Sequence, residues 1–564
     1  MHRIAQKWIQ HKFRKEATMN KLTRLSIVGL FIIGTGSLFA QQGQGQLEEA
    51  EIVIRKDRRI TLPPATRNFE KIPQLPVSET DTKQQYSFKT FQYSLSPLVP
   101  AFRTVNYQGN QRLSDLTSNF LKLGYGNYGT PYLEGYLGSK RHESYLFNLY
   151  VRHLSSKKGP VFDENSGEGR TEAAIGAKYF SNVNKVSGSM NYSSQKVHFY
   201  GYDPVLDLEP GDIERKFTRF STNVLIENAN KEQNFDYHFK TDWIFFRDSY
   251  EARENKFNFD VGGFFIVNED LRFNIDLLAT LSKRQDTEED NRSYLNFRPR
   301  AIYRTNGFTF NAGFNLAGDN GFNKGLSIYP VIKADYALSS GFRIYAGYEG
   351  DLEFNSVESS ISENPFLEAD FDLRNTEKVS DITAGLDFQL FDGLTLSSGV
   401  SYATLNNLQF ITNSISDSTR FEILYDGDKT DRLDVFGAVN FEKAGKVRSS
   451  LRFDFYNYSL ATLTEAWHRP NFKAAFNSTI FPIEKLAITT DLYYLGGLKA
   501  LNGETTQVYD LDDIIDLNLG GRYEVNDRIG VFLQINNLFG KEYERYLNYP
   551  SRGIQFLGGL SVSF

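Results

Sequence analysis

Residues 342–354 read FRIYAGYEGDLEF. Phe342, Ile344, Ala346, Tyr348, Leu352 and Phe354 share one parity, while Arg343, Tyr345, Glu349, Asp351 and Glu353 share the other. Side chains alternate across a strand, so this stretch is a strand with one apolar and one charged face. The pattern repeats on either side. In 271–283, Leu271, Phe273, Ile275, Leu277, Ala279 and Leu281 oppose Arg272, Asn274, Asp276, Thr280 and Ser282. In 515–525, Ile515, Leu517, Leu519, Tyr523 and Val525 oppose Asp516, Asn518, Arg522 and Glu524. Such strands run to about ten residues or more, against about five or six in soluble proteins. A soluble sandwich would cover the apolar faces with a second sheet and turn about every 8–12 residues. The long alternation fits instead apolar side chains facing lipid and polar ones facing a wet lumen.

The beginning of the chain agrees with export. Residues 25–40, LSIVGLFIIGTGSLFA, are the one long apolar run. The run follows Lys21 and Arg24 and ends in small residues, the form of a secretory signal peptide cleaved after Ala40, with Met19 as an alternative start. The other reading of this run is an N-terminal anchor helix. No other segment approaches the roughly 20 apolar residues of a membrane helix. A membrane role for the remainder therefore requires a closed barrel, since only helices and closed barrels satisfy every backbone group in lipid. The chain has no cysteine, which excludes disulfides and thiolate metal sites, and its net charge of −6 offers no basic footprint for nucleic acid.

The connections set the topology. Short links (VNED at 267–270, TNG at 305–307, SSG at 339–341, FDG at 391–393, KAG at 443–445, IEK at 483–485, VND at 525–527) are expected to interleave strictly with long polar ones (159–170, 200–214, 284–293, 355–376, 406–432, 460–469, 498–513, 540–552). Short turns on one side and long loops on the other are the asymmetry of an outer-membrane barrel. The expected fold is all-β, a transmembrane antiparallel barrel of about 22 strands over 119–564, with both ends periplasmic. It is preceded by a signal peptide (1–40) and a short periplasmic or lumenal segment (41–118).

The last strand carries the first resemblance. Ile554, Phe556, Leu560, Val562 and Phe564 share its apolar face. GLSVSF, with Gly559, Val562 and Phe564, resembles the C-terminal signal of bacterial outer-membrane barrels, which implies insertion into outer-membrane lipid by the barrel-assembly machinery. VFLQINNLFGKEYERY (531–546) and the turn YPSRG (549–553) resemble the C-terminal end of TonB-dependent receptors, matching at Asn537, Leu538, Phe539, Tyr543 and Arg552 and departing from the family's Pro-Gly-Arg-like turn. The resemblance implies a barrel of about 22 strands that normally carries a plug. Here only 41–118 precede the barrel, and no complete plug is recognisable. Glu51, Ile52, Val53 and Ile54 are similar to a TonB box, the short strand an energy-coupling partner captures by strand addition; the other reading of these residues is a periplasmic tether or a strand tucked into the lumen. A barrel this wide needs closing by a reduced plug, by inward loops or by a partner.

No catalytic residue, cofactor site or metal site is assigned. His142, His153, His198, His238 and His468 lack metal-type spacing. His153 lies near Ser155 and Ser156 without the third group of a hydrolytic triad. The acidic stretches 285–291 and 508–513 lack the ligand order of a calcium loop and read as solvated charge. Tyr425, Trp467, Tyr546 and Tyr549 are candidates for stacking on a ligand or for the membrane-interface girdle. The expected function is uptake or passage of an unidentified solute. The alternative is a non-transporting scaffold or assembly component that binds a periplasmic or surface partner. Enzyme activity is not expected.

Overall fold

The structure, a computed structural model, describes residues 119–564 except 141, 231–233, 251, 287, 288 and 322–324. The segments 1–40 and 41–118, with Glu51–Ile54, lie outside the described residues.

Twenty-two strands form one antiparallel sheet in which each strand pairs with its neighbours in chain order. The strands range from seven residues (Phe120–Gly126) to 17 (Glu289–Thr305). The first strand also pairs with the last, Gln555–Ser563, from Phe120↔Ser563 to Gly126↔Leu557. The sheet therefore has no free edge, and every strand finds ladder partners on both sides, as a lipid-embedded sheet requires. At the seam two glycines face each other, Gly124↔Gly559. A Cβ on Gly559 would stand 2.1 Å from the Leu123 carbonyl oxygen and 2.7 Å from the Phe532 ring.

The wall is inverted relative to a soluble protein. Along Leu271–Gln285, Ile275, Leu277 and Leu281 are exposed whereas Thr280, Ser282 and Arg284 are buried. The inner side chains satisfy one another across strands: Thr280 donates to Asn258 (2.9 Å), Ser282 to Glu254 (2.8 Å) and Ser401 to Asp381 (2.9 Å). On the last strand Leu560, Val562 and Phe564 face outward. The alternation read from 342–354 thus separates lipid face from lumen face throughout.

At one end of the barrel tight turns join neighbouring strands. Asn306 and Gly307 link two strands with φ of 40° and 81°, the left-handed pair of a type I′ hairpin. Gly393 and Gly445 also take positive φ. The other end carries the long links, but the interleaving is not strict. Residues 249–252 and 286–288 join strands at that end in only a few residues. The expected loop 284–293 is mostly strand: Gln285 ends one strand, Glu289 begins the next, and Lys283 pairs with Glu289 at 2.7 Å. Charge was a poor loop signal here because a lumen-facing strand residue is as polar as a loop residue.

The seam yields a paired test. Gly559→Ala should weaken barrel closure by about 1–3 kcal/mol, the usual cost of overpacking, seen as a lower midpoint of urea unfolding and loss of the heat-modifiable folded band. Gly558→Ala, whose added Cβ would meet nothing nearer than 3.7 Å, should behave as wild type.

Candidate functional site: a loop cap and the wall that holds it

The long loops are not free polar excursions. Among the described residues five of them carry their own secondary structure, and two of these build most of the cap. Residues 354–375 contain a short helix, Val357–Glu363, whose Ser356 side chain accepts from the Ser359 N–H (3.1 Å) while Ser359 returns a bond to the Ser356 N–H. Residues 407–429 fold into a hairpin of Gln409–Asn413 and Phe421–Tyr425. Val357, Ile361, Leu367 and Phe371 of the first loop pack with Ile411, Phe421 and Ile423 of the second, with Tyr546 and Tyr549 of the 537–554 loop, and with Val197, Phe217 and Phe246 at the ends of barrel strands. A second cluster joins Leu405, Leu408 and Phe410 to Trp467. Leu367, Phe410 and Phe421 are fully buried; burial of each contributes about 1.5–3 kcal/mol. Side chains of this size buried between loops make a cap with an apolar core of its own.

Polar pins lock the cap. Tyr546 donates to the Glu363 carbonyl (2.7 Å), Tyr549 to the Thr419 carbonyl, and Tyr200 to the Pro550 carbonyl (3.2 Å). Asp426 accepts from the backbone N–H groups of Ala461 (2.6 Å), Thr462 (2.7 Å) and Leu463 (3.1 Å). Burial alone would raise this carboxyl; the converging donors outweigh it and hold it below the usual carboxylate range.

The wall grips the 354–375 loop from beneath. Arg219 and Lys256, on the lumen faces of Glu214–Asn228 and Arg253–Ile266, both pair with Glu358, Lys256 at 2.9 Å. Burial pushes the Glu358 carboxyl up, but the two cations bring it below its ordinary value. Arg215 pairs with Asp248 (2.6 Å) and reaches the Pro365 and Leu367 carbonyls. Arg284 donates to the Phe371 carbonyl (2.8 Å), and Arg292 to the Asn355 carbonyl (2.6 Å) and the Asn375 side chain (2.5 Å). Below this contact lies a lumenal cavity of about 520 Å³ lined by Lys240, Asp242, Lys256, Asp260, Arg298 and Asp351 among others.

The sequence-predicted site residues fall in two places. Asn537, with φ of 48°, is buried and ties its own loop together, donating to the Lys541 and Arg552 carbonyls at 2.7 Å each. The Leu538 N–H reaches the Leu517 carbonyl (2.8 Å), and Phe539 is exposed. Tyr543 donates to Asp516 (2.5 Å) and meets Tyr493. Arg552 crosses the barrel seam to Glu168 (2.7 Å). These residues anchor the last long loop. Gly559, Val562 and Phe564 lie on or beside the closing strand.

Of the four loop aromatics read as ligand-stacking or girdle candidates, Trp467, Tyr546 and Tyr549 are buried, and Tyr425 is half-buried at the edge of the cap, where it lines a pocket with Asp372 and Arg374. Tyr549 stacks on Phe366 at 3.9 Å, Tyr546 packs on Phe421 at 5.5 Å, Tyr425 lies under Arg374 at 4.6 Å, and Trp467 is buried. The three buried ones are cap core. His153 contacts Ser155 (3.1 Å), but its other ring nitrogen meets the Thr171 hydroxyl (2.8 Å) rather than a carboxylate. The cap and its basic seat were missed in the sequence; runs such as Phe366–Leu367 and Phe410–Ile411 inside "polar" loops were the available signal.

No family model matches the chain, and no curated protein matches it in sequence. Solved structures match in fold. The chain is similar to the pyoverdine outer-membrane receptor FpvA from Pseudomonas aeruginosa PAO1 (10% identity, TM-score 0.61, 79% of this chain and 78% of that one). It is similar to the siderophore receptor PiuA from Acinetobacter baumannii (9%, 0.60, 79% and 82%). It is also similar to the ferric-catecholate import receptor Fiu from E. coli K12 (11%, 0.59, 79% and 82%). At these identities the likeness is one of fold. What these structures share with the chain is the barrel architecture, and by name they are receptors.

His468 makes the cap pH-sensitive. Its Nδ1 bonds the Ile411 carbonyl (2.7 Å), so that nitrogen carries the proton, and Nε2 accepts from the Leu547 N–H (3.3 Å). Burial, with Arg545 nearby, pushes the imidazole down to about 4. An opened cap would bind a proton below about pH 6.5 that the closed cap refuses, so cap stability is complete above that pH and falls toward pH 4, by about 3 kcal/mol in total. In a background lacking Trp8 and Trp243 (Trp8→Phe with Trp243→Phe), Trp467 fluorescence should shift to the red over that range, and His468→Gln should flatten the shift.

Proposed function

We propose that this chain is an outer-membrane barrel for the uptake or passage of a solute, with its tight turns and both barrel ends on the periplasmic side and its capped mouth outside. The observation that carries this reading is a closed 22-strand wall around a polar lumen, with its mouth closed by the barrel's own loops. A wall of that circumference encloses a space far larger than a structural strut needs. Passage then requires the cap to move. Residues 41–118 act as a reduced plug or tether, and Glu51–Ile54 offer a strand for TonB-type coupling. Gly559, Val562 and Phe564 serve as the signal for barrel assembly, and the Asn537–Arg552 loop anchor matches the receptor family at the residues that pin it.

A second reading is favoured by one observation: the cap has a packed apolar core, as a permanently sealed scaffold would. Conductance in a planar bilayer separates the two. The intact protein should be closed, and removing both 41–118 and 356–372 should open a large steady pore. If both removals leave the bilayer silent although the protein runs as a folded, heat-modifiable barrel, the passage reading is wrong and the scaffold stands.

A further inference from the structure

The loop of residues 355–375 carries five carboxylates (Glu358, Glu363, Glu368, Asp370, Asp372) against one arginine, Arg374. It sits on the lumen face of a wall whose strands present Arg215, Arg219, Lys256, Arg284 and Arg292. Among the described residues of this loop, Glu358 is the carboxylate that meets two of these cations at once. Most of the other contacts are to neutral oxygens: Arg292 to the Asn355 carbonyl and Asn375 amide, Arg284 to the Phe371 carbonyl, Arg215 to the Pro365 and Leu367 carbonyls. A carbonyl accepts a hydrogen bond without neutralising the cation, whereas the guanidinium fork matches a carboxylate or phosphate in two bonds. Asp248 offsets Arg215, and Asp286 offsets Arg284, which the loop's Asp370 also approaches at 3.9 Å. When the loop lifts, Arg219, Lys256 and Arg292 would face the lumen with buried Glu254, which now accepts from Ser282 and the Glu358 N–H, as a carboxylate set among these three cations, and Lys256 also lines the cavity beneath.

We propose that this basic wall is a binding site for a soluble polyanion bearing several carboxylates or phosphates, and that the acidic loop occupies it as an internal competitor. Arrival of the anion displaces Glu358 from Arg219 and Lys256, and the loop yields its seat. The proposal rests on the passage reading and adds the substrate class to it.

The test uses the full-length protein in detergent, with tripolyphosphate and citrate as the phosphate and carboxylate probes, spermine as the opposite-charge control, and calorimetric titration at constant ionic strength. Wild type should bind one or both anions weakly and spermine not at all. Glu358→Gln, which loosens the internal competitor, should bind at least about tenfold more tightly. Adding Arg219→Gln and Arg292→Gln should abolish that gain, and Arg292→Lys should restore part of it in a folded barrel even where the glutamine pair misassembles. Equal affinity in wild type and Glu358→Gln, or binding indifferent to Arg219 and Arg292, would overturn the proposal. A neutral or cationic solute that passes the barrel without competing with tripolyphosphate would reject the anion site and leave passage intact. Anion binding to a barrel that never conducts would do the reverse.

Discussion

Everything in this molecule depends on one constraint: a sheet in lipid cannot leave a strand edge unpaired. Water is absent from the hydrocarbon, so each orphan N–H or C=O costs several kcal/mol. The chain meets the constraint by bringing residue 120 to residue 563, and the closing contact is close enough that Gly124 and Gly559 face each other across it. Closure fixes the two faces of the wall, and the faces fix which residues can be apolar. It also creates a wide lumen, which must be stopped.

Among the described residues, the stopper comes from the loops. Their contacts are energetic as well as steric: aromatic and aliphatic side chains from three or more loops share one core, and arginines from the wall hold the loop backbone from below. The two layers differ in kind. The apolar core is non-directional and resists salt and moderate pH, apart from His468. The basic seat is electrostatic, exchangeable and addressable by a charged ligand. A mouth built this way can be tight and still respond to chemistry in the lumen.

The wall was legible in the sequence because its information is local. The period of two in FRIYAGYEGDLEF, the turn glycines at 307 and 393, and the alternation up to Phe564 each read without knowledge of distant residues. The cap was not legible for the opposite reason. Tyr546 meets Glu363 across 183 residues of chain, and Arg215 meets Leu367 across 152; no local period encodes such pairs. Tyr425, Trp467, Tyr546 and Tyr549 were visible as unusual loop residues, but their partners were not. Strict alternation of short and long links failed at 286–288 because charged lumen-facing residues look like loop. The residues of the C-terminal resemblance were visible in sequence, but their contacts were not: Asn537 fastens the last loop to itself and Arg552 reaches Glu168 across the seam.

The central claim is that the loops close the barrel's long-loop mouth with a packed core. Because the chain contains no cysteine, one engineered thiol reports without ambiguity. Ile361→Cys places it in the core of the cap, and Ser362→Cys places it one residue away on the exposed side. The direct measurement is the labelling rate of each thiol by an impermeant maleimide, with the protein in nanodiscs at neutral pH. The account predicts that the Ser362→Cys thiol is labelled at once and the Ile361→Cys thiol at least about a hundredfold more slowly, limited by local opening of the cap. Equal rates at the two neighbouring positions would contradict it.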